Sequence, residues 1–176
     1  KTYTNNIGVT GGNEKADFRL SFTNLKQNGI LPNTDYKRQT VSLNAGWNLT
    51  NKLNVRATVS YVKDGSDNRN NFGLYFIWFG RQADMSSLKT FQKPGSMYQN
   101  NWNDNYWTNP YYLTNLSTKE NQRDRMYGNV VATYKLTDWL TLTGRTGTDF
   151  YEDRRKSKTA ARQAKLGTTQ LYDAYN

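Results

Sequence analysis

The chain contains no cysteine and no histidine, only three prolines, and no apolar run long enough to cross a bilayer as a helix. Without thiolate or imidazole there can be no disulfide framework, no Cys/His zinc site, no Ser-His-Asp triad and no cysteine nucleophile. Carboxylates remain. Asp149, Glu152 and Asp153 cluster near the end of one strand, but Arg154, Arg155 and Lys156 follow directly and make a mutually neutralising rim rather than an acid/base pair. Asp64, Asp67 and Asn68 form an oxygen-rich group whose spacing does not fit an EF-hand loop. The expectation is a protein that is not an enzyme and uses no metal or cofactor.

What is present is alternation. In Val41-Ser42-Leu43-Asn44-Ala45-Gly46-Trp47-Asn48-Leu49 every odd position is apolar or small and every even one polar or glycine. Strand side chains change face with period two, so this is a strand with one apolar face. Leu53, Val55, Ala57, Val59 and Tyr61 alternate in the same way with Asn54, Arg56, Thr58 and Ser60; Phe18, Leu20 and Phe22 alternate with Asp17, Arg19, Ser21 and Thr23. Val130, Ala132, Tyr134 and Leu136 form a fourth apolar row, and weaker rows run from Leu140 to Phe150 and from Tyr3 to Thr10.

Connections of two sizes separate a membrane barrel from a soluble sandwich, because outer-membrane barrels have short turns at one end and long loops at the other. Gly11–Lys15, Thr50–Lys52 and Thr137–Trp139 are short turns, whereas Asn28–Tyr36 is a medium loop and Asp64–Asp124 a very long one. Trp47, Tyr134 and Trp139 fall near the short-turn end, and Tyr3, Tyr61, Phe150 and Tyr151 near the long-loop end, as two interfacial girdles would. The predicted fold is all-β, an antiparallel transmembrane β-barrel segment of about six strands with long extracellular loops. Six strands cannot enclose a polar lumen, so a larger barrel is expected. The predicted organisation is strands over 1–63, an aromatic-rich outer loop over 64–124, a hairpin over 125–153, and over 154–176 an outer loop leading towards a next strand.

The net charge of +10 raises nucleic acid as a partner. The basic residues are nevertheless spread over strands and rims, with no recognition motif or continuous basic helix, and no nucleic-acid partner is expected. In the barrel, Arg38, Arg125, Arg154 and Arg155 are predicted at the outer rim, placed for lipopolysaccharide phosphates. Arg19, Arg56 and Arg145 are predicted to face a polar lumen.

Several runs resemble one family. Gly11–Phe22 followed by Asn28–Arg38, then Asn109-Pro110-Tyr111-Tyr112, Arg123-Asp124-Arg125, and Leu136–Leu140 leading to Gly147–Tyr151 are similar, in order and spacing, to the early barrel of the SusC/RagA-like TonB-dependent transporters of Bacteroidetes. The resemblance covers roughly residues 3 to 155. It implies part of a 22-stranded outer-membrane barrel with an internal plug. It also implies a SusD-like surface lipoprotein as partner, import of oligosaccharides or peptides, and drive from TonB with ExbB and ExbD through parts that this chain does not contain. Under that reading the long loop would meet cargo. Trp102, Tyr106, Trp107, Tyr111 and Tyr112, interleaved with Asn101, Asn103 and Asn105, are predicted to bind substrate by stacking and hydrogen bonding, although the same residues would equally suit a small loop core. Phe72, Tyr75, Phe76, Trp78 and Phe79 are predicted to pack the loop or touch the lipoprotein. Two rivals stand: a binding or scaffold barrel that does not transport, and a secreted carbohydrate-binding β-sandwich.

Overall fold

The computed structural model describes residues 1–69, 80, 82, 84–96, 98–102 and 108–160. Six strands, β1 (Thr2–Gly12), β2 (Ala16–Asn28), β3 (Asp35–Asn48), β4 (Leu53–Ser66), β5 (Lys119–Lys135) and β6 (Thr141–Ser157), form one antiparallel sheet in chain order. The all-β, six-stranded antiparallel architecture is as expected. The sheet is open, with β1 and β6 at its edges, and does not close into a barrel. Among the described residues no helix is long and apolar enough to cross a membrane, which has no bearing on crossing by strands.

The chain divides into two compact units: Lys1–Gln27, Tyr36–Gly65 and Gln122–Arg154 in the first, and Asn28–Asp35, Ser66–Asn121 and Arg155–Asn176 in the second. In the first unit, pairing joins like with like. Ile7 lies opposite Phe22 and Val9 opposite Leu20; Val41, Leu43, Ala45 and Trp47 lie opposite Tyr61, Val59, Ala57 and Val55. The intervening residues make hydrogen bonds on the other face: Ser42 with Ser60 at 2.9 Å, Thr58 to Asn44 at 2.9 Å, and Asn6 to Thr23 at 2.6 Å. A one-residue slip would invert both faces, so these two sets of pairs fix the register together. Ile7, Val9, Leu20, Val41, Leu43, Val130 and Leu142 are 40–69% exposed. Among the described residues no second sheet covers this apolar face.

Side chains close the three short turns. Asn13 Oδ1 accepts the Lys15 and Ala16 N–H groups, both at 2.9 Å; Thr50 Oγ1 accepts those of Lys52 and Leu53; and Thr137 Oγ1 accepts that of Leu140 at 3.1 Å. Each residue satisfies backbone donors that the chain reversal removes from the ladder. At the opposite end the strands run past the alternating segments, β5 from Lys119 and β6 to Ser157. Polar pairs hold these extensions: Tyr36 to Asp64, Arg123 to Asp153 and Arg125 to Asp149. Such pairs carry no apolar period, so the pattern in the sequence stops short of the true strand ends.

Candidate functional site

Asn109 organises the second unit. Its side chain accepts the Tyr111 and Tyr112 N–H groups and caps helix α1 (Pro110–Leu116), with Pro110 in the first turn where its missing donor is harmless. Its own amide donates to the Leu88 carbonyl at 2.8 Å and the Asn100 carbonyl at 2.7 Å, and its backbone N–H donates to Gln99. Asn109 is 0% exposed, so each bond replaces water that the site excludes. Leu88, in the 3-10 turn Ser87–Lys89, is buried as well.

Asn68 does the same for the chain entering and leaving this unit. Its amide donates to the Asn33 and Thr114 carbonyls, each at 2.8 Å, and its Oδ1 accepts the Lys119 N–H at 3.2 Å. Asp35 Oδ1 accepts the Ser66 hydroxyl and the Asp67 and Asn68 N–H groups. Asp67 and Asn68 therefore sit in a polar bracket of backbone contacts. Among the described residues no three His, Cys, Asp or Glu gather closely enough for a metal ion.

Of the five aromatic residues predicted to bind substrate, Tyr106 and Trp107 lie outside the described residues. Trp102 is 43% exposed and donates its indole N–H to Ser87 Oγ at 3.2 Å, which leaves a held ring with an accessible face. Tyr111 is half-buried on α1. Tyr112 is 5% exposed and belongs to the core of the unit; burial pushes its phenol above the usual value. A stacking role does not suit a ring so covered. Phe72, Tyr75, Phe76, Trp78 and Phe79 also lie outside the described residues. The role of Asn109 was detectable, since Asn-Pro is a helix start, yet alternation gives no hint of its burial.

The four rim arginines do not share a face. Side-chain contacts place odd residues of β5 with odd residues of β6: Arg123 with Asp153 at 3.0 Å, and Arg125 Nε with Asp149 at 2.8 Å. Arg125 and Arg155 therefore lie on the polar face, as does Arg38, which is in step with Ser42 and Asn44 on β3. Arg154 alone is on the apolar face, where it forks onto Glu152 at 2.6 and 2.9 Å. Tyr151 is on the polar face too, outside the expected girdle, with the Arg123 guanidinium 5.3 Å from its ring centre. Arg56 reaches Asp17 at 3.1 Å on this same polar face.

No protein-family model matches the chain, and no curated protein matches it. Solved structures do resemble it. A chain of the RagAB peptide transporter aligns with 89% of this chain at 18% identity and a TM-score of 0.64. A chain of the RagAB peptide importer in its closed-closed state aligns with 98% at 18% identity and a TM-score of 0.65. This chain spans 18% and 19% of those two chains, about a fifth of their length. At such identity the likeness is one of fold: the six-stranded sheet is built like a stretch of transporter chains.

Proposed function

We propose that this chain is a stretch of the barrel wall of an outer-membrane transporter of the SusC/RagA-like, TonB-dependent type, and that it acts in import and not in catalysis. One observation carries the reading. From the short turns up to Phe22, Val41, Tyr61, Met126 and Phe150, the apolar face holds no charged side chain; its charges start only beyond, at Lys26, Lys37, Lys63, Asp124 and Glu152. The polar face is charged along its length, from Asp17 and Arg56 to Arg38 and Arg125. A barrel wall between hydrocarbon and a polar interior needs that asymmetry, because a charge facing the bilayer midplane costs about 2–4 kcal/mol. The fold shared with RagAB chains supports the same reading.

In the complete protein the remaining strands would close the barrel around a plug, a SusD-like lipoprotein would cover it, and TonB with ExbB and ExbD would supply the energy. Cargo would be oligosaccharide or peptide. Trp102 and Tyr111 are the described residues best placed to stack on it. The test is to delete the gene for the full-length protein and follow uptake of labelled peptides and oligosaccharides, with fractionation of the tagged protein. Import reading and data agree if the protein is in the outer-membrane fraction and one cargo class is no longer taken up. A protein found in the soluble fraction, or unchanged uptake of both classes, would overturn it.

A further inference from the structure

Three lysines gather on the polar face at the short-turn end of the sheet. Lys15 closes the turn between β1 and β2, Lys52 closes the turn between β3 and β4, and Lys135 ends β5. Backbone bonds bring these ends side by side: Asn48 N–H donates to the Lys15 carbonyl at 2.7 Å, and Lys135 N–H to the Lys52 carbonyl at 2.8 Å. Asn48 is paired with Asn54, whose amide donates to Asn48 Oδ1 at 2.7 Å. Strand parity puts them all on one face, since Lys15 is in step with Asp17, Asn48 with Asn44, Lys52 and Asn54 with Arg56, and Lys135 with Arg125. A cleft of about 600 Å³ opens there, lined by half-buried Asn54 and Thr133 and by the three exposed lysines. That volume is in the range of small-ligand sites.

The charge of the cleft indicates its ligand. Among the described residues no ion pair engages Lys15, Lys52 or Lys135, and Glu14 is the one carboxylate lining the cleft, so positive charge is in excess. A cleft walled by one sign of charge concentrates ions of the other sign. From Lys15 at the end of β2 to Lys135 at the end of β5 there are three strand spacings, about 14 Å. Four extended residues reach about the same length, at about 3.3 Å each. We propose that Lys15, Lys52 and Lys135 form a binding site for anionic cargo, a short oligomer with carboxylates on successive units. The site rests on the transporter reading above, in which the short turns are periplasmic and the polar face lines the lumen, so it stands where cargo leaves the barrel. It deepens that reading by giving the cargo its charge. Acidic peptides and uronate oligosaccharides share this carboxylate chemistry.

The experiment is isothermal titration of the full-length protein in detergent. The probes are tetraglutamate and tetragalacturonate, with end-blocked tetraalanine and maltotetraose as their uncharged counterparts. The wild type is expected to bind a carboxylate oligomer more tightly than its neutral counterpart, and less tightly as salt rises. K15Q/K52Q/K135Q is expected to bind it on the order of 10- to 100-fold more weakly, at roughly two- to fivefold per lysine. K26Q/K63Q, which removes charge from the apolar face, is expected to match the wild type. Heat-dependent gel mobility checks that each variant is folded, and the single lysine variants, each with roughly a two- to fivefold loss, replace the triple variant if it does not fold. Binding of the acidic peptide alone or of the uronate alone supports the site and identifies the source of the carboxylates. Binding of neither, equal affinity for charged and neutral oligomers, unchanged affinity in the lysine variants, or an equal loss in K26Q/K63Q would overturn the site while leaving the barrel reading in place. A full-length protein that folds and stays soluble without detergent would overturn both.

Discussion

Arg56 on β4 reaches across β3 to hold Asp17 on β2, with Nη1 and Nη2 at 3.3 and 3.1 Å from the two carboxylate oxygens. The bridge passes over Gly46, where an added Cβ would stand 2.5 Å from Asp17 Oδ1 and 2.8 Å from Arg56 Nη2. Three strands are thus tied at one point by the absence of a side chain on the middle one. Gly46→Val is expected to break the bridge and to destabilise the sheet by about 1–3 kcal/mol, the usual range for overpacking. A double-mutant cycle on Asp17→Asn and Arg56→Gln should give a coupling of only about 0–1 kcal/mol, because both side chains are more than half exposed. Urea titration of the full-length protein refolded in lipid vesicles measures both.

Leu43 and Ser42 are neighbours in sequence on opposite faces. Leu43→Arg is expected to destabilise the refolded protein by about 2–4 kcal/mol in vesicles, whereas Ser42→Arg should cost less than half as much. Equal effects at the two positions would exclude a lipid-facing apolar side.

Asn109→Ala removes the cap of α1 and leaves the Leu88 and Asn100 carbonyls without their donor. Loss of the cap alone is expected to cost about 1 kcal/mol, and the bared buried carbonyls about 1–3 kcal/mol. Hydrogen exchange should quicken at Tyr111 and Tyr112 while the β3–β4 pair stays protected.

Burial raises the Tyr112 phenol pKa. A group with a raised folded pKa contributes stability that is complete below its unfolded pKa and lost as pH rises through the folded one. The second unit is therefore expected to loosen above the usual phenol range. Tyr112→Phe should delay that alkaline transition, followed by tyrosinate absorbance and proteolysis.

If Trp102 stacks on cargo, Trp102→Ala should weaken cargo binding by about two- to tenfold without altering hydrogen exchange in the sheet. Isothermal titration with the imported cargo class tests this, and an unchanged affinity would assign Trp102 to loop packing.

The strand rows were legible because each strand presents one face to apolar surroundings and one to polar ones, and a period of two records that directly. Asn13, Thr50 and Thr137 were legible as turn residues for an equally local reason. That Arg38, Arg125 and Arg155 lie towards the long-loop ends of their strands was legible from position along the chain. Their face was not, because near the long-loop end both faces are polar and parity no longer shows in residue type. The burial of Asn109, which starts the helix that carries Tyr112, was hidden for another reason: it depends on contacts with Leu88 and Asn100, 21 and 9 residues away.

By itself the sequence determined the strand count, the two faces of each strand within its alternating segment and the side of the short turns, since these follow from local alternation and turn chemistry. Only the tertiary structure decided which strands are neighbours and which residues meet across them. Lys52 beside Lys135, and Arg56 over Gly46 onto Asp17, depend on register between strands, and register is fixed by pairing along the whole ladder rather than by any short stretch of chain.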